Sequence, residues 1–162
     1  MKLFCVLATL GFANMAAAAD VPYTDTVTEN CVFLAETKAE RLACIGASAH
    51  ACVQAASDGR TQAGMSRCLS RELRYWDKAL NRTYQSLKYK AKRVDAAEQT
   101  AGAREMERHL RQMQLNWIAF RDATCAFEQM RWEAEDGPVT QNCLMRVTAQ
   151  QALYLQGLWI GQ

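Results

Sequence analysis

Two long helical stripes, Leu73 to Leu87 and Leu110 to Cys125, restrict the possible folds of this chain more than any other feature. The first sets Leu73, Trp76, Leu80, Tyr84 and Leu87 on one face, with Asp77 and Asn81 among them. The second sets Leu110, Met113, Trp117, Phe120, Thr124 and Cys125 together, with Gln114 and Arg121 among them. Three-and-four spacing is what puts side chains on one side of a helix. A turn near Gln99 folds the second stripe back antiparallel on the first, bringing Asp77 toward Arg121 and Tyr84 toward Gln114. The expectation is a charge pair and a hydrogen bond inside a helix interface, where removing one partner of the pair strands the other at ~3–5 kcal/mol.

The start of the chain reads as a processing signal. Lys2 precedes an apolar run from Leu3 to Phe12, and Ala17, Ala18 and Ala19 form a small-residue ending before Asp20. These are the parts of a secretory signal peptide over residues 1–19. The apolar run is shorter than the ~20 residues a membrane span requires, so no membrane span is expected and residues 20–162 form one helical domain. A bacterial periplasmic or secreted destination follows. Of the seven cysteines, Cys5 is lost with the leader, leaving Cys31, Cys44, Cys52, Cys68, Cys125 and Cys143. An even number in an exported chain implies three disulfides. No C-x-x-C occurs and neither His50 nor His109 sits at ligand spacing from a cysteine pair, so a metal site is not expected. The sequence offers no cofactor-binding motif either. Nineteen Lys and Arg, less Lys2, against 17 Asp and Glu leave a mature charge near +1, without the basic excess of a nucleic-acid binder.

The apolar periodicity predicts an antiparallel bundle of four to five helices. A short one covers Thr28 to Glu36, and a second starts at a capping box, Thr37 with Glu40, and carries Leu42, Ile45, Ala49, Cys52 or Val53, and Ala56 inward. A third runs from Gly64–Ser66 to Ala97. A fourth runs from Ala103 to Trp132 with Met106, Leu110, Met113, Trp117, Phe120, Thr124 and Phe127 inward, and a fifth starts near Thr140 with Leu144, Val147, Gln151, Leu155 and Leu158 inward. Short connections favour antiparallel neighbours, so fold-backs at Thr37, Arg60 and Ala134 predict the pairs Cys31–Cys44, Cys52–Cys68 and Cys125–Cys143. Cys44 and Cys52 share a helical face in this scheme, and exchanging them as the partner of Cys68 is the competing arrangement.

The strings CLSRELRYWDKALNRTYQSL at 68–87 and QLNWIAFRDATC at 114–125, followed by Gly137, Cys143 and Thr148, resemble the lysozyme inhibitor LprI-like N-terminal domain family of small exported bacterial helical domains. The resemblance spans about residues 65–155. Matching positions are Cys68, Leu80, Asn81, Tyr84, Gln114, Trp117, Arg121, Asp122, Cys125, Cys143 and Thr148. Three residues beyond the threonine the family usually carries arginine, whereas this chain has Gln151. The resemblance implies a protein that binds lysozyme or another exported partner.

The motif residues Asp77, Asn81, Tyr84, Gln114, Trp117, Arg121, Asp122 and Thr148 are best read as structural. A carboxylate pair with an arginine is compatible with acid–base chemistry, but the serines lack a nucleophile-elbow context and no base or metal set converges, so an enzyme is not expected. The functional candidate is the acidic loop Glu133, Glu135 and Asp136, bounded by the Cys125–Cys143 bridge and suited to the cationic cleft of a lysozyme because crosslinking lowers its ordering cost. The other reading is a structural or stress-related envelope protein that contacts peptidoglycan or another periplasmic protein.

Overall fold

The computed structural model describes residues 23–97, 105–131 and 137–158. The expected leader, Trp132, the acidic loop Glu133, Glu135 and Asp136, and Trp159 all lie outside the described residues. Within the described part the chain is all-helical: α1 (Thr26–Leu34), α2 (Lys38–Ala43), α3 (Ala47–Ala55), α4 (Gln62–Ala97), α5 (Met106–Arg131) and α6 (Pro138–Gly157). The disulfides are Cys31–Cys44, Cys52–Cys68 and Cys125–Cys143, with Cα separations of 5.6, 5.7 and 5.5 Å. These are the pairs that the fold-backs predict, so the exchange of Cys44 for Cys52 does not occur. Each clamps one helical hairpin and contributes ~2–4 kcal/mol by restricting the unfolded chain.

The capping box forms as the sequence predicts. Glu40 N–H donates to Thr37 Oγ1 at 3.1 Å, and Thr37 N–H donates to Glu40 Oε2 at 2.9 Å. Thr37 N–H, joined by Glu36 N–H at 2.8 Å from the same oxygen, holds the Glu40 carboxyl below its ordinary titration range. The single helix expected from Thr37 to Ala56 is instead two, α2 and α3, broken at Cys44–Gly46. Gly46 adopts φ 94°, a left-handed conformation that costs residues with a Cβ about 1–2 kcal/mol. A buried carboxylate then receives the freed amides. Glu72, 0% exposed, reaches across from α4 and accepts hydrogen bonds from Gly46 N–H at 2.8 Å, Ala49 N–H at 2.6 Å, Thr28 Oγ1 at 3.0 Å and Trp76 Nε1 at 3.0 Å. It accepts four bonds and is set against the positive end of α3, which suits a negative group. Ser48 N–H donates to Thr28 Oγ1 and Thr28 N–H to Ser48 Oγ, both at 3.0 Å, so α1, α3 and α4 meet in one polar knot.

Around that knot the packing is apolar. Trp76, Leu80 and Leu87 of α4 are buried with Leu110 of α5 and with Met145 and Leu155 of α6. The sequence predicts the α4–α5 seam as the main interface, yet α4 packs most extensively on α6. The reason is side-chain size: Ala79 and Ala91 on α4, and Ala149 and Ala152 on α6, are all buried, and small residues let two helix axes come close. α5 still runs antiparallel to α4. Asp95 near the end of α4 accepts from the amides of Met106 and Glu107 at 2.9 and 3.0 Å, capping α5 from its neighbour, and Glu107 lies 3.9 and 3.8 Å from Lys88 and Lys92. Because α5 is buried only along Leu110, Gln114 and Cys125, the inward placement expected of Phe120 and Phe127 is wrong. Both are exposed, as is Leu42 on α2.

Candidate partner-binding site

The motif residues separate into a buried set and a seam at the surface. In the buried set, Gln151 Nε2 donates to Gln114 Oε1 at 3.1 Å. The partner of Gln114 is therefore Gln151 rather than the expected Tyr84, which packs half-buried against the core. The Gln151 amide reaches the α5 stripe at the position that the α4–α5 reading assigned to a tyrosine. Thr148 is fully buried one turn earlier on α6, and its hydroxyl finds no hydrogen-bond partner among the described residues.

The surface seam gathers Asp77 of α4 with Trp117, Arg121 and Asp122 of α5. The Arg121 guanidinium lies 5.2 Å from the Trp117 ring centroid and pairs with Asp122, Nη2 to Oδ1 at 2.7 Å and Nε to Oδ1 at 2.8 Å. The expected ion pair with Asp77 is not formed. Asp122, one residue along the same helix, takes the guanidinium because it is exposed and needs no desolvation, whereas Asp77 is half-buried. Burial pushes the Asp77 carboxyl above its ordinary range, and the nearby charge of Arg121 opposes this more weakly. Asn81 points to solvent. The seam is thus a stacked cation–aromatic pair with a shared acidic edge, and His50 and His109 are both exposed.

Where α6 begins, two grooves open. The first, of about 450 Å³, is lined by Ser66, Arg67, Ser70 and Arg74 of α4 and by Gly137 and Thr140 at the start of α6. Ser70 Oγ donates to Gln141 Oε1 at 2.9 Å across it, and Arg67 pairs with Asp58. Guanidinium groups at helical spacing facing a helix N-terminus suit a carboxylate or another anion. The second, about 590 Å³, is mainly apolar, with Ile45, Val53, Met65 and Met145 on its walls and His50 and Glu128 among its polar lining residues. Arg146 ties Glu128 to α6 at 2.6 Å. Sequence reading missed both Glu72 and the arginine groove. Each carried a signal: Glu72 falls in phase with Leu69, Trp76 and Ala79, and Arg67, Arg71 and Arg74 recur at three-and-four spacing.

A model of the family Lysozyme inhibitor LprI matches residues 52–155. The chain belongs to the LprI lysozyme inhibitor family. Its match contains α4, α5, all but the last two residues of α6, the seam residues and the first groove, whereas Ile45 and His50 of the second groove precede it. The chain is also 29% identical over 156 residues, 93% of its length and 92% of the relative's, to a protein of Rhodobacter capsulatus described as an uncharacterized 17.7 kDa protein in the puhA 5′ region. No solved structure matches it. Three disulfides together with LprI membership point to an exported protein. Among the described residues, no helix is long and apolar enough to cross a membrane.

Proposed function

We propose that this LprI-family protein is a non-catalytic binding protein that inhibits a lysozyme in the bacterial periplasm or outside the cell. The match to an inhibitor family over residues 52–155 carries this reading. Residues 1–19 are its export leader, and residues 20–162 form one binding domain. The contact is made at the end of the bundle where α5 gives way to α6, through Glu133, Glu135 and Asp136. Two observations support this choice: the loop's acidity suits a cationic cleft, and the Cys125–Cys143 bridge ties together the helices on either side of it. The test measures the lytic rate of lysozyme on cell walls with an excess of the oxidised mature protein. Inhibition lost in the triple change of Glu133, Glu135 and Asp136 to Ala, with unchanged circular dichroism, supports both the activity and its place. Undiminished lysis with the wild-type protein rules out the inhibitor reading.

One specific observation favours a second reading, an envelope protein that binds peptidoglycan. The groove of Ser66, Arg67, Ser70 and Arg74 at the start of α6 matches the carboxylates of peptidoglycan stem peptides. Co-sedimentation with purified sacculi that is lost in Arg74→Glu supports it, and equal recovery of the variant refutes it.

A further inference from the structure

We propose that the outer face of α5 is a self-association surface, on which a second copy of this chain packs antiparallel about a two-fold axis near Ala123. At 3.6 residues per turn, Leu115, Phe120, Phe127 and Met130 fall on one arc with the alanines at 119, 123 and 126 and with Asn116. These four large side chains are 50%, 61%, 65% and 80% exposed. No Lys, Arg, Asp or Glu falls within that arc between residues 115 and 130. The outward side of α4, by contrast, carries Arg74, Lys78, Arg82, Lys90 and Arg93, as expected for a face left in water.

The order of residues on the arc identifies the occupant. Laid antiparallel about Ala123, Phe120 of one copy meets Ala126 of the other, Phe127 meets Ala119, Met130 meets Asn116, and Ala123 meets itself. Each aromatic ring thus faces a methyl group, the large-into-small fit of ridges in grooves, and every contact i to j recurs as j to i, as a two-fold interface requires. The area is also sufficient. At ~200 Å² per large side chain, the four offer roughly 500 Å² per copy. Two copies therefore supply about 1,000 Å² before the alanines and the helix flanks are added, the low end of what specific association needs.

The experiment is sedimentation velocity of the oxidised mature protein from about 5 to 200 μM. The proposal expects a concentration-dependent monomer–dimer equilibrium. Ala123→Glu and Ala123→Lys, each of which sets like charges against each other at the axis, should be monomeric alone and dimeric when mixed. Phe127→Asp, at an exposed position, is the second disruptive variant, and circular dichroism checks that each is folded. A wild-type protein that stays monomeric at the highest concentration overturns the proposal. So does a dimer that survives in Phe127→Asp, or a charge-swapped mixture that fails to associate. A monomer that instead binds lysozyme through this face, with binding lost in Phe127→Asp, also overturns it.

Discussion

Replacing Glu72 tests whether a buried carboxylate holds the N-terminal third of the protein to the long helix. The four donors that converge on it leave little tolerance for change. In Glu72→Gln the less costly amide orientation keeps oxygen toward Thr28, Gly46 and Trp76 and turns the NH2 group toward Ala49 N–H, now 2.6 Å from Oε2. One hydrogen bond to a charged acceptor is lost, ~1.5–3 kcal/mol, and two donors oppose each other without solvent, giving a loss of about 2–4 kcal/mol. For a domain of this size that lowers the melting temperature by roughly 5–12 °C. Glu72→Ala strands the rigid donors Gly46 N–H, Ala49 N–H and Trp76 Nε1–H together, each costing ~1–3 kcal/mol. The total of about 4–6 kcal/mol is a large share of a typical stability of ~5–15 kcal/mol. Urea unfolding of the oxidised protein gives the magnitudes, and hydrogen exchange at the Ala49 amide gives the location, since exchange there should accelerate before exchange in α6 does. A Glu72→Gln protein within ~0.5 kcal/mol of wild type, with the Ala49 amide still protected, would refute the reasoning.

Three further outcomes follow from the same geometry. Gly46→Ala should cost about 1–2 kcal/mol in urea unfolding through backbone conformation alone, because the added Cβ would sit 3.6 Å from Met145 Cε without a clash. Asp77→Asn should stabilise the protein slightly at neutral pH. The folded carboxyl titrates above its ordinary value of 3.8 through burial, so its charged form is disfavoured by folding above that folded value, and the gain should vanish in melts below the ordinary value; solvent access to Asp77 keeps the gain small. Removing the bridge with Cys125→Ala and Cys143→Ala should cost ~2–4 kcal/mol, measured by thermal unfolding, while leaving the Glu72 knot intact by hydrogen exchange.

Much of the fold was legible because long amphipathic helices write their period plainly. α4, α5 and α6 start and stop within a few residues of where Leu73, Leu110 and Leu144 place them, and short fold-backs predict the three disulfides, with the exchange of Cys44 and Cys52 left for the structure to exclude. Period does not say which neighbour a face meets. Burial of Ala79 and Ala149 gives α4 to α6, and that choice turns Phe120 and Phe127 outward. Glu72 was in phase with the buried stripe, but its role was not legible: a carboxylate there is assigned to solvent by default, and only the break at Gly46 supplies amides to receive it. For the candidate site, Arg121 lay on the expected seam, but its pairing with Asp122 depends on the relative cost of desolvating two acids, which spacing does not encode.

The three crosslinks join cysteines that are consecutive from Cys31 to Cys143, 13, 16 and 18 positions apart. A polypeptide threading out of a translocation channel presents its thiols in that same order, first with second, third with fourth, fifth with sixth. An oxidase acting on each pair as it emerges therefore installs the native connectivity by timing alone, and maturation should proceed at full yield in cells that lack a disulfide-shuffling catalyst.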